Sequence, residues 1–479
     1  MDSTDDDIQK LRKPWYKYVT TEPSMFFYMM AFMVTGVTEQ TLYVFRACTI
    51  NHGYSDQICY NISNYEDINT EVQKTTTVFH QWNGVANNAI PLVLAFFLGA
   101  YSDKRGRKVL IVAGLVGKLF FSFMVVVNTL TDWPVEYIIY TATLPSSLTG
   151  ADLAIFTGCF AYVADVSSLE NRTLRVGILD AVYMSTMPTG IALGNMLYYK
   201  AFDKSFTWMF AVNTGLMVLA TVYSVVWLDG QTRPEQKSWR QAAVSNPLTD
   251  FFNSSNIKQT ISTLTKNRPS NRRLYLWFLF ISMIFYTFQR DEKSVIYLYT
   301  SRVFAWDTND YSLFRTYLNT GYVLLMLAGI PLMTKVFKWR DTIIIMVGAA
   351  SHMCGHVVYA SARTGGAMYA GAACAALGPC VVPLLRAMAS KVLPPAEKGV
   401  AFAFLTVMER AVGVVASVVY ANVYKATLHR ARPNTFLYFT VATQAAVFLL
   451  ALTMELMLRG QRIESHFDRD EKCKSKISS

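Results

Sequence analysis

The sequence predicts an all-α membrane protein with twelve transmembrane helices in two six-helix bundles. Three observations carry that expectation: a composition too apolar for water, apolar runs of membrane-spanning length, and a one-sided distribution of lysine and arginine. Of the 479 residues, 52% are hydrophobic and 16% charged, with 27 tyrosines and 30 phenylalanines, whereas an average soluble chain carries about 25% charged residues. The mean hydropathy is +0.25. Unpaired backbone groups are too costly in hydrocarbon, so a spanning segment is a helix of roughly 20 apolar residues. Such runs lie at 24–46, 80–101, 108–130, 136–164, 174–199, 207–228, 274–301, 313–334, 341–361, 366–389, 399–424 and 435–458. Thirty lysines and arginines fall on one side of these runs, against nine at or beyond the opposite helix ends with Arg46 included. Positive residues favour the cytoplasmic side, so both termini are expected in the cytosol.

This divides the chain into a cytosolic N-terminus (1–23), a first bundle (24–228), a cytosolic linker (229–273), a second bundle (274–458) and a cytosolic tail (459–479). Asp2, Asp5, Asp6 and Asp7 precede Lys10, Arg12 and Lys13, and the first span is too long for a signal peptide, so it is expected to stay as an anchor. A six-and-six split round a polar linker fits a transporter of two related halves, with its site between them near the midplane. The net charge of +11 follows topology rather than gathering on one groove, which excludes nucleic acid as a partner and leaves membrane lipid as the surroundings. Seven cysteines without a paired repeat exclude a disulfide scaffold and a zinc ribbon. No Gly-rich phosphate loop, nucleophile elbow or His-Glu metal signature is present, so neither an enzyme nor a cofactor or metal site is expected.

Taken in order, the first outer loop, 47–77, is the only large external one and holds Cys48, Cys59 and the sequon at Asn61. The two cysteines could pair across it or remain free thiols; the sequons at Asn171 and Asn253 lie on the cytosolic side and should stay bare. Glu39 in span 1 and Lys118 in span 3 are isolated charges, which hydrocarbon tolerates at a cost on the order of 2–4 kcal/mol and which therefore face a cavity or a partner. Between spans 2 and 3 stands Gly99-Ala-Tyr-Ser-Asp103-Lys-Arg-Gly106-Arg107-Lys108, a tight charged turn in which Gly106 suits the reversal and Asp103 could cap a helix or pair with a cation. Span 4 ends in Gly158-Cys-Phe-Ala-Tyr-Val-Ala-Asp165, and Asp165 is expected to partner the basic cytosolic turns. Asp180 lies about a turn into span 5, and Arg175 is an alternative partner for it.

Span 7 carries Gln289-Arg290-Asp291-Glu292-Lys293, too polar for lipid: either a cavity wall or an external mouth beyond a helix ending near Phe288. Tyr297, Tyr299, Phe304 and Trp306 follow, an aromatic set expected at the membrane interface rather than stacked on a substrate. His352 and His356 share one face of span 9 without a third metal ligand, and read as cavity or interface histidines. Glu409 and Arg410 are neighbours in span 11, point about 100° apart and should meet different helices; a Glu39 to Arg410 pair, or one from Lys118 to a carboxylate, is conceivable. Glu39, Glu409 and Arg410 are thus candidate cavity residues for substrate.

The turn between spans 2 and 3 resembles the loop signature of the major facilitator superfamily: glycine, three residues, aspartate, two residues, glycine, two basic residues. The stretch from Gly158 to Ser168, then Arg172-Thr-Leu-Arg175 and Asp180, resembles the proton-coupled folate transporter family, which includes the thymic stromal cotransporter and lysosomal relatives. Glu22-Pro23 and the segment Val382-Pro383-Leu-Leu-Arg386 through Lys391, with Glu397-Lys-Gly399, agree with it. The resemblance implies alternating access without a cofactor, protons as the coupling ion, Asp180 as the proton-coupling carboxylate and Arg386 as a substrate-associated arginine suited to a carboxylate. Read from the residues alone, Arg386 would be a cation snorkelling to the inner interface. The cargoes implied are small organic anions: reduced folates and antifolates, muropeptides or other anionic conjugates.

Two departures matter. The family's intramembrane histidine of span 7 has no counterpart in the stretch from Thr287 to Gln289, which disfavours folate. The family's outer-loop cysteine is matched by Cys59, but its partner's place before Trp306-Asp307 is Ala305, so that disulfide between the halves cannot form. The expectation is an integral multi-pass protein, with the plasma membrane favoured over a lysosomal or endosomal one. A transporter-like sensor or scaffold without flux is the alternative function. Treatment of the expressed protein with an N-glycosidase should shift the gel mobility of the wild type and leave Asn61→Gln unshifted; equal shifts would place the glycan elsewhere.

Overall fold

The structure, a computed structural model, describes residues 19–167, 172–232, 272–392, 395–428 and 434–458. The expected linker core, the tail, the extreme N-terminus and the sequons at Asn171 and Asn253 lie outside the described residues, as does the side chain of Asp103. Among the described residues every element is helical, as hydrocarbon requires of a spanning backbone. Twelve helical units follow one another: α1 (22–51), α2 (Glu66–Arg105), α3 (Arg107–Leu130), α4 (Ile139–Val166), α5 (172–201), α6 (Phe206–Trp227), α7 (272–303), α8 (Thr308–Val336), α9 (Asp341–Ser361), α10 (Gly365–Val392), α11 (Pro395–Leu428) and α12 (Thr435–Leu458). Nine are long and apolar enough to cross a membrane over most of their length. Of the other three, α1 is interrupted at Gly36 and Val37 and α7 at Gln289–Asp291, and α2 carries a polar outer extension.

Most boundaries fall within a few residues of the expected runs; α2 is the exception. It starts at Glu66, not near residue 80, and the outer loop is correspondingly short and itself partly helical at Asp56–Tyr60. Glu66 and Asp67 place negative charge at the helix N-terminus, and Val72, Gln73, Thr76, Thr77 and Phe79 are buried against neighbours. A polar stretch covered by protein need not be apolar, so hydropathy passed over it. Cys48 and Cys59 form a disulfide, with Cα atoms 5.8 Å apart, which ties the end of α1 to this short connection. Span 7 does not end at Phe288: a single 3-10 turn, Gln289–Asp291, carries α7 straight on to Val303.

The helices pack with a repeated pattern. In the first bundle α1 packs on α5 and α6, and α3 on α4 and α6; in the second, α7 packs on α11 and α12, and α9 on α10 and α12. The bundles meet along α2 with α11 and α5 with α8, contacts that the same half-to-half exchange interconverts. This is the arrangement of parallel repeats related by an axis along the membrane normal. Cytosolic helix ends are held by ion pairs: Arg107 to Asp165 at 3.0 Å between α3 and α4, and Lys391 to Asp341 at 2.5 Å between α10 and α9. Arg175 is 2.9 Å from Glu22.

The link from α2 to α3 is Gly106 alone, at φ +97° and ψ 146°. An L side chain is strained there by about 1–3 kcal/mol. Gly106→Ala should therefore lower the melting temperature of the purified protein in detergent, while Gly177→Ala, where a Cβ would meet nothing within 4 Å, should leave it near the wild-type value.

Candidate functional site

Between the bundles lies a cavity of about 260 Å³. Its polar wall comes from α1, α2 and α7, with single charges from α3 and α4 and two from α11. The break at Gly36 and Val37 separates the apolar inner half of α1 from Glu39, Gln40 and Tyr43. From α2 come His80 and three asparagines; from α7 Arg290, Asp291 and Lys293; from α11 Glu409, Arg410 and Tyr420. Lys118 of α3 and Asp152 of α4 complete the ionisable set, which balances four cations against four carboxylates. Three of the residues 289–293, Arg290, Asp291 and Lys293, thus stand in the cavity wall rather than at an external mouth.

Pairing within the set is uneven. Lys118 Nζ lies 2.8 Å from Asp152, which also accepts from the Tyr28 hydroxyl at 2.5 Å. Glu39 accepts from Tyr43 at 2.7 Å, and no ion pair joins it to Arg410 among the described residues. Glu409 is held by Arg386 at 2.9 Å; Glu409 is nearly buried whereas Arg386 is 49% exposed. Phe32 lies beneath two ammonium groups, Lys293 at 5.2 Å and Lys118 at 6.0 Å from its centroid, a cation–π arrangement with Phe121 adjoining. Gln40 Oε1 and His80 Nε2 line the cavity and are buried without a hydrogen-bond partner. Such orphaned groups are uncommon in folded proteins and are available to a ligand.

Other expected residues fall around the cavity rather than in it. Asp180, half-buried on α5, feels the charge of Arg386 across the bundle boundary, so Asp180, Arg386 and Glu409 form one electrostatic chain into the cavity. Arg107 also donates to Ser102 at 2.6 Å, Thr232 donates to Asp165 at 3.1 Å, and Lys108 donates to the Val225 carbonyl at 2.7 Å. These bonds make the signature turn, with Gly99 inside α2, a brace for the cytosolic ends of the first bundle. Asn61 is exposed at the outer side.

Of the aromatic set, Tyr297 and Tyr299 are buried inside the protein rather than at the lipid interface, while Phe304 and Trp306 are half-buried, and Trp306 packs on Phe314 with centroids 5.3 Å apart. Tyr297 belongs to a polar seal on the outer side. Thr41 bonds the hydroxyls of Tyr297 at 2.9 Å and Thr308 at 2.8 Å, Gln73 donates to the Leu298 carbonyl at 3.1 Å, and Arg302 donates to Thr70 at 2.6 Å. Asn195 and Asn309, 2.8 Å apart, continue it between α5 and α8. The bundles are therefore shut on the outer side. His352 and His356 are likewise absent from the cavity wall; both are buried inside the second bundle. Asp152, His80 and the asparagines of α2 were missed from sequence. The signal for Asp152 was available, since it is as isolated in span 4 as Glu39 is in span 1.

Helical units in two repeat-related bundles, nine of them among the described residues long and apolar enough to cross a membrane, with a charged cavity between the bundles, define a multi-pass membrane transporter fold. Residues 19–417 match the Major Facilitator Superfamily model, and the chain belongs to that family. It is 27% identical over 427 residues to the Gallus gallus lysosomal proton-coupled steroid conjugate and bile acid symporter SLC46A3, covering 86% of this chain and 89% of that one. It is 24% identical to the Bos taurus proton-coupled folate transporter (91% and 92% covered) and 22% identical to the Drosophila melanogaster probable peptidoglycan muropeptide transporter SLC46 (88% and 82%). Among solved structures it is similar in fold to the human organic anion transporter MFSD10, with TM-score 0.63, 13% identity and 92% and 100% of the chains covered. These relatives are transporters and not enzymes.

Lys118 and Asp152 offer a direct test of how the cavity tolerates charge. Removing one partner of a buried pair leaves an uncompensated charge, a cost of about 3–5 kcal/mol, which the partial exposure of Asp152 reduces. Lys118→Met and Asp152→Asn should each lower the melting temperature, and the double substitution should recover most of the loss; additive losses would show that the pair does not act as a unit.

Proposed function

We propose that this protein is a proton-coupled symporter of amphipathic organic anions, working by alternating access. The observation that carries the reading is the charge balance of the cavity. With Arg386, which holds Glu409, and Asp180 in its field added to the four cations and four carboxylates of the wall, the charges still cancel, so an entering anion adds net negative charge unless a carboxylate takes up a proton. Loading a proton with the anion keeps the buried charge sum constant, which is the electrostatic basis for symport.

Within that scheme Asp180 is the proton-coupling carboxylate and Arg386 the switchable cation. Arg386 pairs directly with Glu409 at 2.9 Å and, with Asp180 ionised, also lies in the field of that second carboxylate. Protonation of Asp180 releases part of that hold, and the guanidinium fork can receive the substrate's anionic group. Arg290, Lys293 and Arg410 supply further positive field, with Glu39 and Asp291 as their counter-charges. Phe32, Phe121 and Met217 offer an apolar wall to the body of the ligand. That combination suits a sulfate or carboxylate on a compact apolar frame, the chemistry named for the steroid-conjugate and bile-acid relatives, better than it suits folate. The driving proton enters from an acidic outer side, the extracellular surface or an organelle lumen. Opening then requires the outer seal to part and the cytosolic ends to close.

Purified protein in proteoliposomes should take up a labelled steroid sulfate or bile acid faster when the side of entry is acidic. Asp180→Asn should abolish the acid stimulation, and Arg386→Ala should raise KM by about ten- to a hundredfold, the loss of one charge-assisted hydrogen bond. Absence of flux for steroid sulfate, bile acid, folate and muropeptide alike, from correctly folded protein, would sink the reading in favour of a sensor or scaffold.

A further inference from the structure

Outside the cavity, in the second bundle, a carboxylate and an imidazole are buried against each other. Glu292 of α7 and His356 of α9 each have side chains 5% exposed, with Glu292 Oε1 3.3 Å from His356 Nε2. The other ring nitrogen, Nδ1, is 2.8 Å from the carbonyl of His352. A carbonyl only accepts, so Nδ1 carries a hydrogen. Nε2 then faces a carboxyl oxygen, and the contact is a hydrogen bond only if one further proton lies between them, on the imidazole or on the carboxyl. Without it, two lone pairs would confront each other in a dry interior, at the cost of an unsatisfied buried charge. The geometry is therefore that of a pair holding one exchangeable proton.

That pair is wired to the cavity. The Thr440 hydroxyl of α12 donates to Glu292 Oε2, and it lies 2.6 Å from the Tyr420 hydroxyl of α11. Thr440 has a single hydrogen, committed to Glu292, so Tyr420 donates to Thr440. Tyr420 in turn lines the cavity. The row from Tyr420 through Thr440 to Glu292 is a chain of hydroxyls with every hydrogen pointing toward the carboxylate. Thr440 and Tyr420 are 0% and 1% exposed, so water does not short-circuit it.

We propose that Glu292 and His356 form a proton-binding site in the second bundle, loaded from the substrate cavity through Tyr420 and Thr440. A proton from the cavity joins the Tyr420 oxygen as that hydroxyl passes its own to Thr440 and Thr440 passes its own to Glu292 Oε2. Rotation of the carboxyl about its last carbon–carbon bond then turns the acid toward Nε2, and the unloading path is the reverse. No bond other than O–H and N–H changes. The groups that set the field here come from every helix packed around the pair. They are His352 and Tyr359 on α9, Tyr311, Arg315 and Tyr322 on α8, Asp291 on α7 beside Glu292, and Tyr420 on α11. Tyr322 also reaches His352 Nε2 at 3.3 Å, and the ring of Tyr286 stacks on His352 with centroids 5.7 Å apart. Thr440 ties α12 to α7 in either state, whereas the contact between α7 and α9 is a hydrogen bond only while the site is loaded, so its proton stabilises the observed packing of the second bundle. The proposal rests on the symport reading for its role in coupling, but the site itself does not depend on flux.

The test needs no substrate. Acid-minus-neutral infrared difference spectra are recorded on the full-length protein in detergent, with isotope-labelled histidine as a second reporter. The expected result is a carboxyl signal lost in Glu292→Gln and an imidazole signal lost in His356→Gln, with Thr440→Val retaining both but slowing their appearance after a pH jump by tenfold or more, about the scale of one interrupted proton-transfer step. His356→Gln keeps a donor for Glu292 and serves if Glu292→Gln does not fold. Spectra in which neither substitution removes a signal, or in which Thr440→Val responds at the wild-type rate, overturn the site or its route respectively. In proteoliposomes, His356→Gln should bring the ratio of acidic to neutral uptake to unity while anion exchange at equal pH continues. Assigned infrared signals with no uptake of any anion would support the proton site and overturn the transport reading. Acid-stimulated uptake at the wild-type ratio in His356→Gln would overturn the site's part in coupling.

Discussion

A charge that leaves water must find a counter-charge, and in a chain surrounded by lipid that requirement organises nearly everything else. Among the described residues, several ionisable side chains inside the helices are paired across helix boundaries. Lys118 meets Asp152, Glu409 meets Arg386 and Glu292 meets His356, each pair bridging two helices. The same constraint acts at the cytosolic ends, where Arg107 with Asp165 and Lys391 with Asp341 fasten α3 to α4 and α10 to α9. Those two braces occupy equivalent places in the two halves with the signs reversed. What is repeated is the need for a neutral pair at that junction, rather than the residues that supply it.

Against these strong intrabundle ties, the contacts that shut the outer side are soft. Thr41, Tyr297, Thr308, Gln73 and the Asn195–Asn309 pair join the bundles with neutral hydrogen bonds, each contributing about 1 kcal/mol net. Arg302 to Thr70 adds one charged donor. A seal of this kind holds when the hydroxyls face each other and yields to water when the bundles tilt, because water satisfies the same groups at little cost. The bundles themselves are held by buried ion pairs and apolar packing, so rocking between rigid halves is the cheaper motion.

Much of the fold was legible from residues, and for one reason. Lipid removes the option of an unpaired backbone, so apolar runs become helices whatever their tertiary context, and α3, α6, α9 and α12 begin and end close to where hydropathy alone puts them. Gly106, Arg107 and Lys108 were readable as a tight turn because only glycine fits the turn's positive φ. The outer extension of α2 was illegible by the same token: its threonines and Gln73 are polar, and only the neighbours that cover them make it an ordered helix. The site was partly legible. Glu39, Glu409 and Arg410 stood out as isolated charges and do line the cavity, whereas Asp180 and Arg386 lie beside it and His352 and His356 sit in the core of the second bundle.

Length and hydropathy determined the class and most of the helix bounds, because these depend on the transfer of whole segments between water and lipid. Which charges meet is a different kind of fact. Arg175 joins Glu22, Lys118 joins Asp152, and Glu292 finds a histidine 64 residues away on another helix. A side chain at a given depth faces several helices, and its rotation about the helix axis selects the partner. Only the tertiary packing fixes that rotation.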